Sequence, residues 1–451
     1  VNDHEGVAVE GAAVVFSGNN AEEKSTVTMA DGSFTLQEVP VCENGILTIT
    51  APETLAAQYD ALTYTIPFSA ADTVNCGSLA LKLKTYTIAF SSDAFGKFTS
   101  TDSEEPINQL TVKHGEDASF RFLPNDGFEA SVMDGTTTLE EVDSVYTISN
   151  VQDNHTVTAS TNDVQEPVIT DISVVGDNSW AVEQLIQVQA NDNAGNDQVR
   201  VYISQTEYAD YSELMAAGET VVSIPYKVSA NGTYYVYAVD ANNNVAKGSI
   251  EINRIDVDPP VIGKFTAIPA GPSSSPRYEF TVADDQSGVA SVMFYKAGDE
   301  TNQQAATAGE SADVYYFIAD ENAEYYVVVT DNVGNSNTRS TTVNNYDGTP
   351  PTISAVNVSG EWSSSENAVG FSVDDNFSIK NLYYSTMRYD SVAELESASD
   401  ITALDVQEEN GGNGSYSFTV TENGTYYIYA VDNADHFSCS EPVNFTHIDK
   451  T

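Results

Sequence analysis

The sequence predicts an all-β protein, an elongated array of β-sandwich domains that follow one another along the chain. The chain has 451 residues, and at about 100 residues per unit this length corresponds to four or five domains. Short segments of alternating apolar and polar residues recur throughout, separated by turn-forming residues. The last part of the chain also repeats itself three times, so these segments are copies of one domain.

The repeat is clearest in a tyrosine-rich segment near the end of each copy. It reads NGTYYVYAVD from Asn231, NAEYYVVVTD from Asn322 and NGTYYIYAVD from Asn423, a spacing of 91 and then 101 residues. Each copy contains a turn, a strand, a polar hairpin rich in Asp and Asn, a second strand and a linker. About seven short strands per copy, with turn signals every 8 to 12 residues, are typical of an immunoglobulin-like (Ig-like) sandwich.

Other elements of the copies follow the same pattern. The segments QLIQVQA, YEFTVAD and AVGFSVD precede acidic loops, and VRVYIS, ASVMFYK and IKNLYYS follow them as further strands. Alternation places Tyr234 and Val236 on one face and Tyr235 and Tyr237 on the other, so one face is expected to pack and one to meet water or a partner. YADYSELMAAGE in the first copy and YDSVAELESASD in the third predict a short helix that the second copy lacks.

These features resemble the bacterial Ig-like repeats of surface proteins, in which a Tyr-rich strand, an Asp-x-x-Gly-Asn turn and an Asp-x-x-Pro-Pro linker recur. The resemblance implies three repeats, at residues 164–256, 257–347 and 348–451. It indicates the architecture and says little about a ligand.

Two different β modules precede the repeats. Residues 1–84 resemble the carboxypeptidase regulatory-like, transthyretin-type β-sandwich through the ADGSF turn and the strand FTLQEVPV after it. Residues 85–163 are similar to the internalin-type B repeat of bacterial surface proteins through the PNDGF turn and the ending VYTISNVQDNHTVTA. Both resemblances imply folding or spacing modules without a catalytic role.

The charge of the chain limits its partners. There are 67 acidic and 17 basic residues, which gives a formal net charge of −50 and an isoelectric point near 4.1. Such a surface repels phosphate backbones and anionic lipid headgroups, so no nucleic-acid partner and no direct membrane insertion are expected. Two interpretations of the charge remain open: the solubility of a secreted or salt-adapted protein, and cation binding.

Acidic residues recur where a sandwich brings a linker and two loops to the same end. Convergent carboxylates and backbone carbonyls suit a hard cation, so we expect Ca²⁺ at these joints between domains. The alternative is that the aspartates only close turns by bonding their own backbone. The candidate ligands at the two joints are Asp256, Asp258, Asp284, Asp285 and Asp331, and then Asp347, Asp374, Asp375 and Asp432.

Two further residue pairs are candidate sites. Cys42 and Cys76 fall in the same module and are expected to form a disulfide, the alternative being two buried thiols. Trp180 and Trp362 occupy nearly the same place in the first and third copies. They are expected either to plug the end of the sandwich or to stack on a sugar ring.

Catalysis is not expected, because the sequence lacks the zinc, nucleophile and phosphate-loop motifs that enzymes carry. The leading hypothesis is an extracellular stalk or adhesin segment of a larger microbial cell-surface protein. It would project or contribute to the binding of a host or cell-surface glycan or protein. One alternative is a subunit that self-associates in an extracellular filament or surface layer. Another is a set of accessory modules of a secreted carbohydrate-active enzyme.

Overall fold

The computed structural model describes residues 1–66 and 73–451, with the backbone alone at Asp197. Strands are the dominant regular structure of the described part, and its two α-helices and two 3-10 helices are short, the longest having six residues. The predicted fold class, tandem all-β sandwiches, is confirmed. Within the described residues, no helix combines the length and the apolar character that a bilayer crossing requires.

The described residues of the first module, 1–66 and 73–84, contain one four-stranded antiparallel sheet. Its strands are β1 (Ala13–Ser17), β2 (Lys24–Val27), β3 (Gly45–Thr50) and β4 (Leu62–Ile66), in the order β2-β1-β3-β4. Phe16 pairs with Leu47 and Val14 with Ile49, and all four side chains are buried. The period-two alternation of these strands therefore builds the core of the module.

Residues 85–163 form two sheets. The strands are β5 (Thr85–Ser92), β6 (Gly96–Ser100), β7 (Gln109–Lys113), β8 (Ala118–Pro124), β9 (Phe128–Asp134), β10 (Thr137–Thr138), β11 (Tyr146–Ile148) and β12 (His155–Asp163). The five-stranded sheet has the order β10-β9-β12-β5-β7, and the three-stranded sheet has the order β11-β8-β6. Between them lies an aromatic core in which Phe90 stacks on Phe98 with centroids 4.6 Å apart. Strand β12 ends at Asp163, a buried aspartate that belongs to one of the acidic groups described below.

The first Ig-like copy contains two three-stranded sheets and one helix. Its elements are β13 (Val168–Val174), β14 (Gln184–Asn191), β15 (Arg200–Ser204), α1 (Tyr211–Ala216), β16 (Tyr226–Val228), β17 (Gly232–Val239) and β18 (Val245–Ile252), with a 3-10 turn at Asn196–Gln198. The sheet orders are β13-β14-β16 and β15-β17-β18. These sheets contain the predicted strands.

The second copy has two larger sheets and no α-helix among its described residues. Its strands are β19 (Val261–Ile262), β20 (Thr266–Ile268), β21 (Arg277–Ala283), β22 (Val289–Lys296), β23 (Gln304–Ala305), β24 (Thr307–Ala308), β25 (Val314–Ile318), β26 (Glu324–Asp331) and β27 (Ser336–Thr342). One sheet has the order β19-β21-β25-β24 with β20 beside β21, and the other has the order β23-β22-β26-β27.

The third copy again carries a helix. Its elements are β28 (Thr352–Val358), β29 (Asn367–Asp374), β30 (Ile379–Ser385), α2 (Val392–Ser397), β31 (Thr402–Leu404), β32 (Gly414–Val420), β33 (Gly424–Asp432), β34 (Phe437–Cys439) and β35 (Val443–Phe445), with a 3-10 turn at Glu409–Gly412. The sheet orders are β28-β29-β32 and β31-β30-β33-β34, with β35 beside β33. The helices α1 and α2 lie where the sequence predicts them.

Both helices begin with the same capping arrangement. Asp210 and Ser391 accept hydrogen bonds from the backbone N–H groups of Glu213 and Glu394, three residues on. Each glutamate in turn accepts a hydrogen bond from the backbone N–H just before the cap. These contacts satisfy amides that a helix start leaves unpaired.

The helices explain one wrong prediction about the tyrosine-rich strand. In β26 of the second copy, buried and half-buried residues alternate, as expected for a strand with one packed face. In the first copy, Tyr237 on the opposite face is also buried, at 1% exposure. It packs in one cluster with Leu214 of α1, and in the third copy Tyr429 packs in the same way with Leu395 of α2. The helix covers the face that was expected to meet water or a partner.

By contact density the chain divides into two compact units. The first unit comprises Val1–Ser173, Gln187–Tyr226 and Thr233–Ile250, and the second comprises Val174–Ile186, Lys227–Gly232 and Glu251–Thr451. Every sheet takes its strands from a single predicted domain. The predicted domain borders themselves stay a prediction.

Candidate metal sites in the acidic loops

Three groups of acidic side chains converge in the described part of the chain. The ligand atoms within each group lie within 4.8 Å of one another. The first two groups each combine a residue ahead of a copy, a residue in the loop after β14 or β21, and the aspartate at or just after the end of the tyrosine-rich strand. The third group combines a residue ahead of the copy, the aspartate at the end of the tyrosine-rich strand and a histidine of the following hairpin. The groups are Asp163, Asp192 and Asp240; Asp256, Asp284 and Asp331; and Asp347 and Asp432 with His436.

The aspartate at the end of the tyrosine-rich strand is held in the same way in all three groups. Its Oδ1 atom accepts backbone N–H groups of the following hairpin. Its Oδ2 atom lies against the side chain four residues on, and both oxygens are therefore engaged. The Oδ2 contacts are Asp240 with Asn244 Nδ2 at 2.7 Å, Asp331 with Asn335 Nδ2 at 2.7 Å, and Asp432 with His436 Nδ1 at 2.9 Å.

In the first group, two carboxylate oxygens have no partner among the described residues. Asp163 is 4% exposed, and its Oδ1 atom accepts hydrogen bonds from Gln165 N and Asn193 Nδ2 at 3.1 and 3.2 Å. Its buried Oδ2 atom accepts none, and neither does the buried Oδ1 atom of Asp192. Burial, followed by the negative charges of Asp163 and Asp240, raises the pKa of Asp192. Three negative groups therefore meet here without a described ion pair, and the nearby Arg200 guanidinium donates to the backbone carbonyl of Asp240 at 2.5 Å.

The third group, together with the neighbouring Asp375, has the same feature. Asp347 is fully buried, and its Oδ1 atom accepts a hydrogen bond from Thr349 N at 3.3 Å. Asp375 is 8% exposed, and its Oδ2 atom accepts one from Phe377 N at 2.8 Å. The other oxygen of each carboxylate is buried and accepts no hydrogen bond from any described residue. Burial, followed by the charges of Asp347 and Asp432, raises the pKa of Asp375.

The second group is satisfied by the protein itself. Asp256 is fully buried, and its two oxygens accept hydrogen bonds from Asp258 N at 3.1 Å and Ser287 N at 3.0 Å. Burial alone would raise its pKa, but the hydrogen bonds from Ser287 and Asp258 outweigh burial and hold the pKa of Asp256 below its ordinary value. Asp284 accepts the N–H groups of Gln286 and Gly288. This group is stable as a charged hydrogen-bonded cluster.

The structure brings together most of the predicted ligands but not all of them. Asp258, Asp285 and Asp374 are exposed and lie outside the three convergent groups, and Asp375 is buried beside the third group without being one of its members. Sequence reasoning missed the first group and His436. The signal was present, because Asp240 and Asn244 repeat the spacing of Asp331 and Asn335. It was overlooked because Asp163 belongs to a different module and is followed by no Pro-Pro pair.

The disulfide predicted between Cys42 and Cys76 is not formed in this structure. Both residues are half-buried free cysteines, and both line a cavity of about 780 Å³ in the first module. Burial raises the pKa of the Cys76 thiol, which disfavours the thiolate that disulfide exchange requires. Pairing of the two thiols in an oxidised protein stays a prediction.

The two predicted tryptophans differ in their surroundings. Trp362 is 68% exposed, and its ring meets that of His447 edge-on with centroids 5.3 Å apart. Trp180 is half-buried. The exposure of Trp362 favours the ligand-stacking alternative at this position, since a residue that plugs a sandwich end is expected to be covered.

Comparisons with known proteins add little beyond the fold. No family model matches the chain, and no curated protein does. Among solved structures, the chain is similar to domains A168-A170 of titin, with a TM-score of 0.27, 10% identity, and coverage of 63% of this chain and 99% of the titin chain. The titin I-band fragment I67-I69 gives a TM-score of 0.31 and 14% identity, with coverage of 63% and 99%.

A third solved structure spans more of the chain. The eight N-terminal Ig domains of Down Syndrome Cell Adhesion Molecule give a TM-score of 0.27 and 13% identity, covering 96% of this chain and 64% of that one. All three superpositions are loose. The tandem Ig-like architecture of residues 164–451 therefore rests on their own sheets.

Proposed function

We propose that this chain is a non-catalytic extracellular segment of a larger microbial cell-surface protein, a stalk that projects a binding region or contributes to binding. The Ig-like copies lie in tandem and follow two other β modules. A function of this kind requires that each domain fix the direction in which the chain leaves it. A recurring hydrogen-bonded clamp at the end of each copy supports that requirement.

The clamp is made by one asparagine per copy, and it carries the proposal. Its side-chain amide bonds twice to the backbone of one residue, the residue just before the linker aspartate. The amide nitrogen donates to the carbonyl of that residue, and the amide oxygen accepts from its N–H. The pairs are Asn231 with Ile255 (2.7 and 2.8 Å), Asn322 with Tyr346 (2.7 and 2.9 Å) and Asn423 with Ile448 (2.8 and 3.0 Å). A two-point contact fixes the position and the direction of the exiting backbone.

Parallel backbone bridges reinforce the same exit. Asp347 N donates to Ser273 O, and Ser273 N donates to Asn345 O, each at 2.9 Å. The first and third copies have equivalent bridges, at Ala181 with Ile255 and at Ser363 with Ile448. Each copy thus uses an asparagine side chain and a backbone bridge to hold the segment where the chain leaves the domain, an arrangement that suits a spacer.

The histidines support the absence of a catalytic role. His4 lies 2.8 Å from the Tyr59 hydroxyl, and His155 lies 2.6 Å from the Asp134 carboxylate. These contacts join neighbouring elements of the same module. They are typical of packing, since a catalytic base would lie beside a nucleophile or a substrate pocket.

Small-angle scattering of the full chain tests the stalk. Five domains of about 35 to 40 Å each give a length on the order of 180 Å, and a rod of that length has a radius of gyration of about 50 Å. A compact chain of this size would give about 22 Å. A value near the compact one would overturn the stalk, and growth of the particle with concentration would favour the filament or surface-layer alternative.

A contribution to ligand binding is a second candidate, and exposed Trp362 favours it. A glycan or protein ligand that stacks on this ring would quench its fluorescence, and the Trp362→Ala variant would lose binding. Equal binding by the variant and the wild-type protein would exclude this ring as the binding site. Binding that requires an attached catalytic domain would favour the accessory-module alternative.

A further inference from the structure

We propose that the first and third acidic groups are Ca²⁺ sites, and that protein hydrogen bonds take the place of the cation in the second. This inference goes beyond the proposed function, because it concerns carboxylates of the chain whether or not the chain is a stalk. Of the two joints at which the sequence led us to expect Ca²⁺, it keeps the one around Asp347 and Asp432, drops the one around Asp256, and adds the group of Asp163, Asp192 and Asp240.

The buried oxygens without partners carry the argument. Asp163, Asp347 and Asp375 are all more than nine-tenths buried, and each has one carboxylate oxygen that accepts no hydrogen bond from the described residues. A buried charged oxygen without a partner is costly, so native proteins pair it, neutralise it or use it to coordinate a metal. Asp163 and Asp347 belong to groups whose ligand atoms already converge, and Asp375 lies within electrostatic range of Asp347 and Asp432 beside the third group.

The remaining contacts orient the carboxylates. Asn244 Nδ2 donates both to Asp240 Oδ2 at 2.7 Å and to the backbone carbonyl of Asp163 at 3.1 Å. Asp192 Oδ2 accepts Ala194 N at 2.9 Å, which leaves Asp192 Oδ1 free on the same carboxylate. The chain thus holds the hydrogen-bonded oxygens in place and leaves one oxygen on each of two carboxylates for a ligand.

The chemistry of the groups favours Ca²⁺ over a shared proton. A single proton neutralises one of three carboxylates and leaves two negative charges in a poorly hydrated place. A divalent cation interacts with all three carboxylates at once and leaves one net negative charge. All three ligands of the first group are carboxylates, the hard oxygen donors that Ca²⁺ takes, and water can complete a shell of six to eight oxygens. Mg²⁺ demands a tighter octahedral arrangement, so it is expected to bind more weakly.

The loop of the second copy supplies a backbone donor that the loop of the third copy does not. In the third copy, Asn433 N donates to the carbonyl of Ser378, three residues after Asp375. In the second copy, the equivalent donor is Asn332 N, and it reaches Gly288, four residues after Asp284. Ser287, within this loop, donates its N–H to Asp256 Oδ2 at 3.0 Å. A backbone N–H thus occupies the Oδ2 atom of Asp256. The corresponding oxygens of the other two groups, Asp163 Oδ2 and Asp347 Oδ2, have no partner among the described residues.

Calcium binding by the full chain, measured by equilibrium dialysis with radioactive Ca²⁺ in chelator-treated buffer, tests the proposal. The wild-type protein is expected to bind two ions. Asp192→Asn and Asp375→Asn are each expected to bind one, and the double variant none. Asp284→Asn removes the corresponding carboxylate of the second group and is the matched control, expected to bind two. Mg²⁺ at equal concentration is expected to displace little of the bound Ca²⁺.

A second measurement separates loss of the site from loss of the fold. Thermal unfolding in chelator should show Asp192→Asn and Asp375→Asn at least as stable as wild type, because each change removes a repelled charge. Added Ca²⁺ should stabilise wild type and Asp284→Asn more than either single variant.

Several outcomes would overturn the proposal. No binding by the wild-type chain would mean that the carboxylates share protons instead. A loss of one ion in Asp284→Asn would place a cation in the second group. A compact particle in scattering would refute the stalk without changing the number of bound ions, so the two proposals fail separately.

Discussion

The hydroxyl of Tyr429 is expected to hold helix α2 on the third Ig-like copy. Tyr429 is fully buried, and burial raises its pKa. Its hydroxyl donates to the Met387 carbonyl at 2.6 Å and accepts from Tyr389 N at 3.0 Å. Both partners lie in the segment that leads into the helix. Tyr429→Phe removes this one oxygen and keeps the packing of the ring against Leu395.

The expected cost follows from the two backbone groups that lose their partner. Leaving a buried donor or acceptor unsatisfied costs about 1 to 3 kcal/mol, and partial access of water to the loop makes about 2 kcal/mol a reasonable total. The free energy of local opening of α2 falls by this amount. Because about 1.4 kcal/mol corresponds to a factor of ten, backbone amides of Val392–Ser397 should exchange with deuterium about 30-fold faster.

Hydrogen–deuterium exchange of the full chain, read by mass spectrometry, provides the assay. Helix α1 is the internal reference, since it depends on Tyr237, whose hydroxyl accepts from Tyr208 N at 2.6 Å. Tyr237→Phe is the matched variant and should accelerate exchange in α1 alone. The reasoning is refuted if Tyr429→Phe changes exchange in α2 less than about threefold, or accelerates α1 as much as α2.

Two further predictions concern single side chains of the second and third copies. Burial, then a hydrogen bond to Asp320 at 2.6 Å, raises the pKa of Tyr325 to about 12 from 10.0. The protonated hydroxyl of Tyr325 should contribute fully to the free energy of unfolding below pH 10, and this contribution should be lost as the pH rises through 12. Chemical denaturation across this pH range measures the loss, and the Tyr325→Phe variant should not show it. Asn423→Ala should destabilise the third copy by about 1 to 3 kcal/mol through the freed backbone groups of Ile448. Exposed Asn444→Ala is the control, with an expected change within about 0.5 kcal/mol in thermal unfolding, and equal losses would contradict the clamp.

The local patterns of this chain were readable because each follows a short-range rule. Alternation located the strand of Arg277–Ala283, and the segment YADYSELMAAGE, matched by YDSVAELESASD in the third copy, located helix α1. The same rules failed on the outer face of the tyrosine-rich strand. Whether Tyr237 meets water depends on a helix more than 20 residues away in sequence, and strand periodicity carries no information about it.

The acidic groups show the same division. The sequence indicated that aspartates of linkers and loops would meet, because sandwich topology brings those elements to one end. It did not reveal Asp163, which comes from a different module, nor that Ser287 would satisfy Asp256. Whether a buried carboxylate oxygen has a partner depends on the direction in which a single backbone N–H group points, and a small difference between loops changes that direction.

By itself, therefore, the sequence determined the all-β class, the three copies and part of the set of aspartates that converge, since these follow from periodicity, repetition and charge. The tertiary structure alone decided which carboxylate oxygens are buried without a partner and which face of each strand a helix covers. Burial and hydrogen bonding are set by atoms far apart along the chain, and a linear pattern does not encode their final distances.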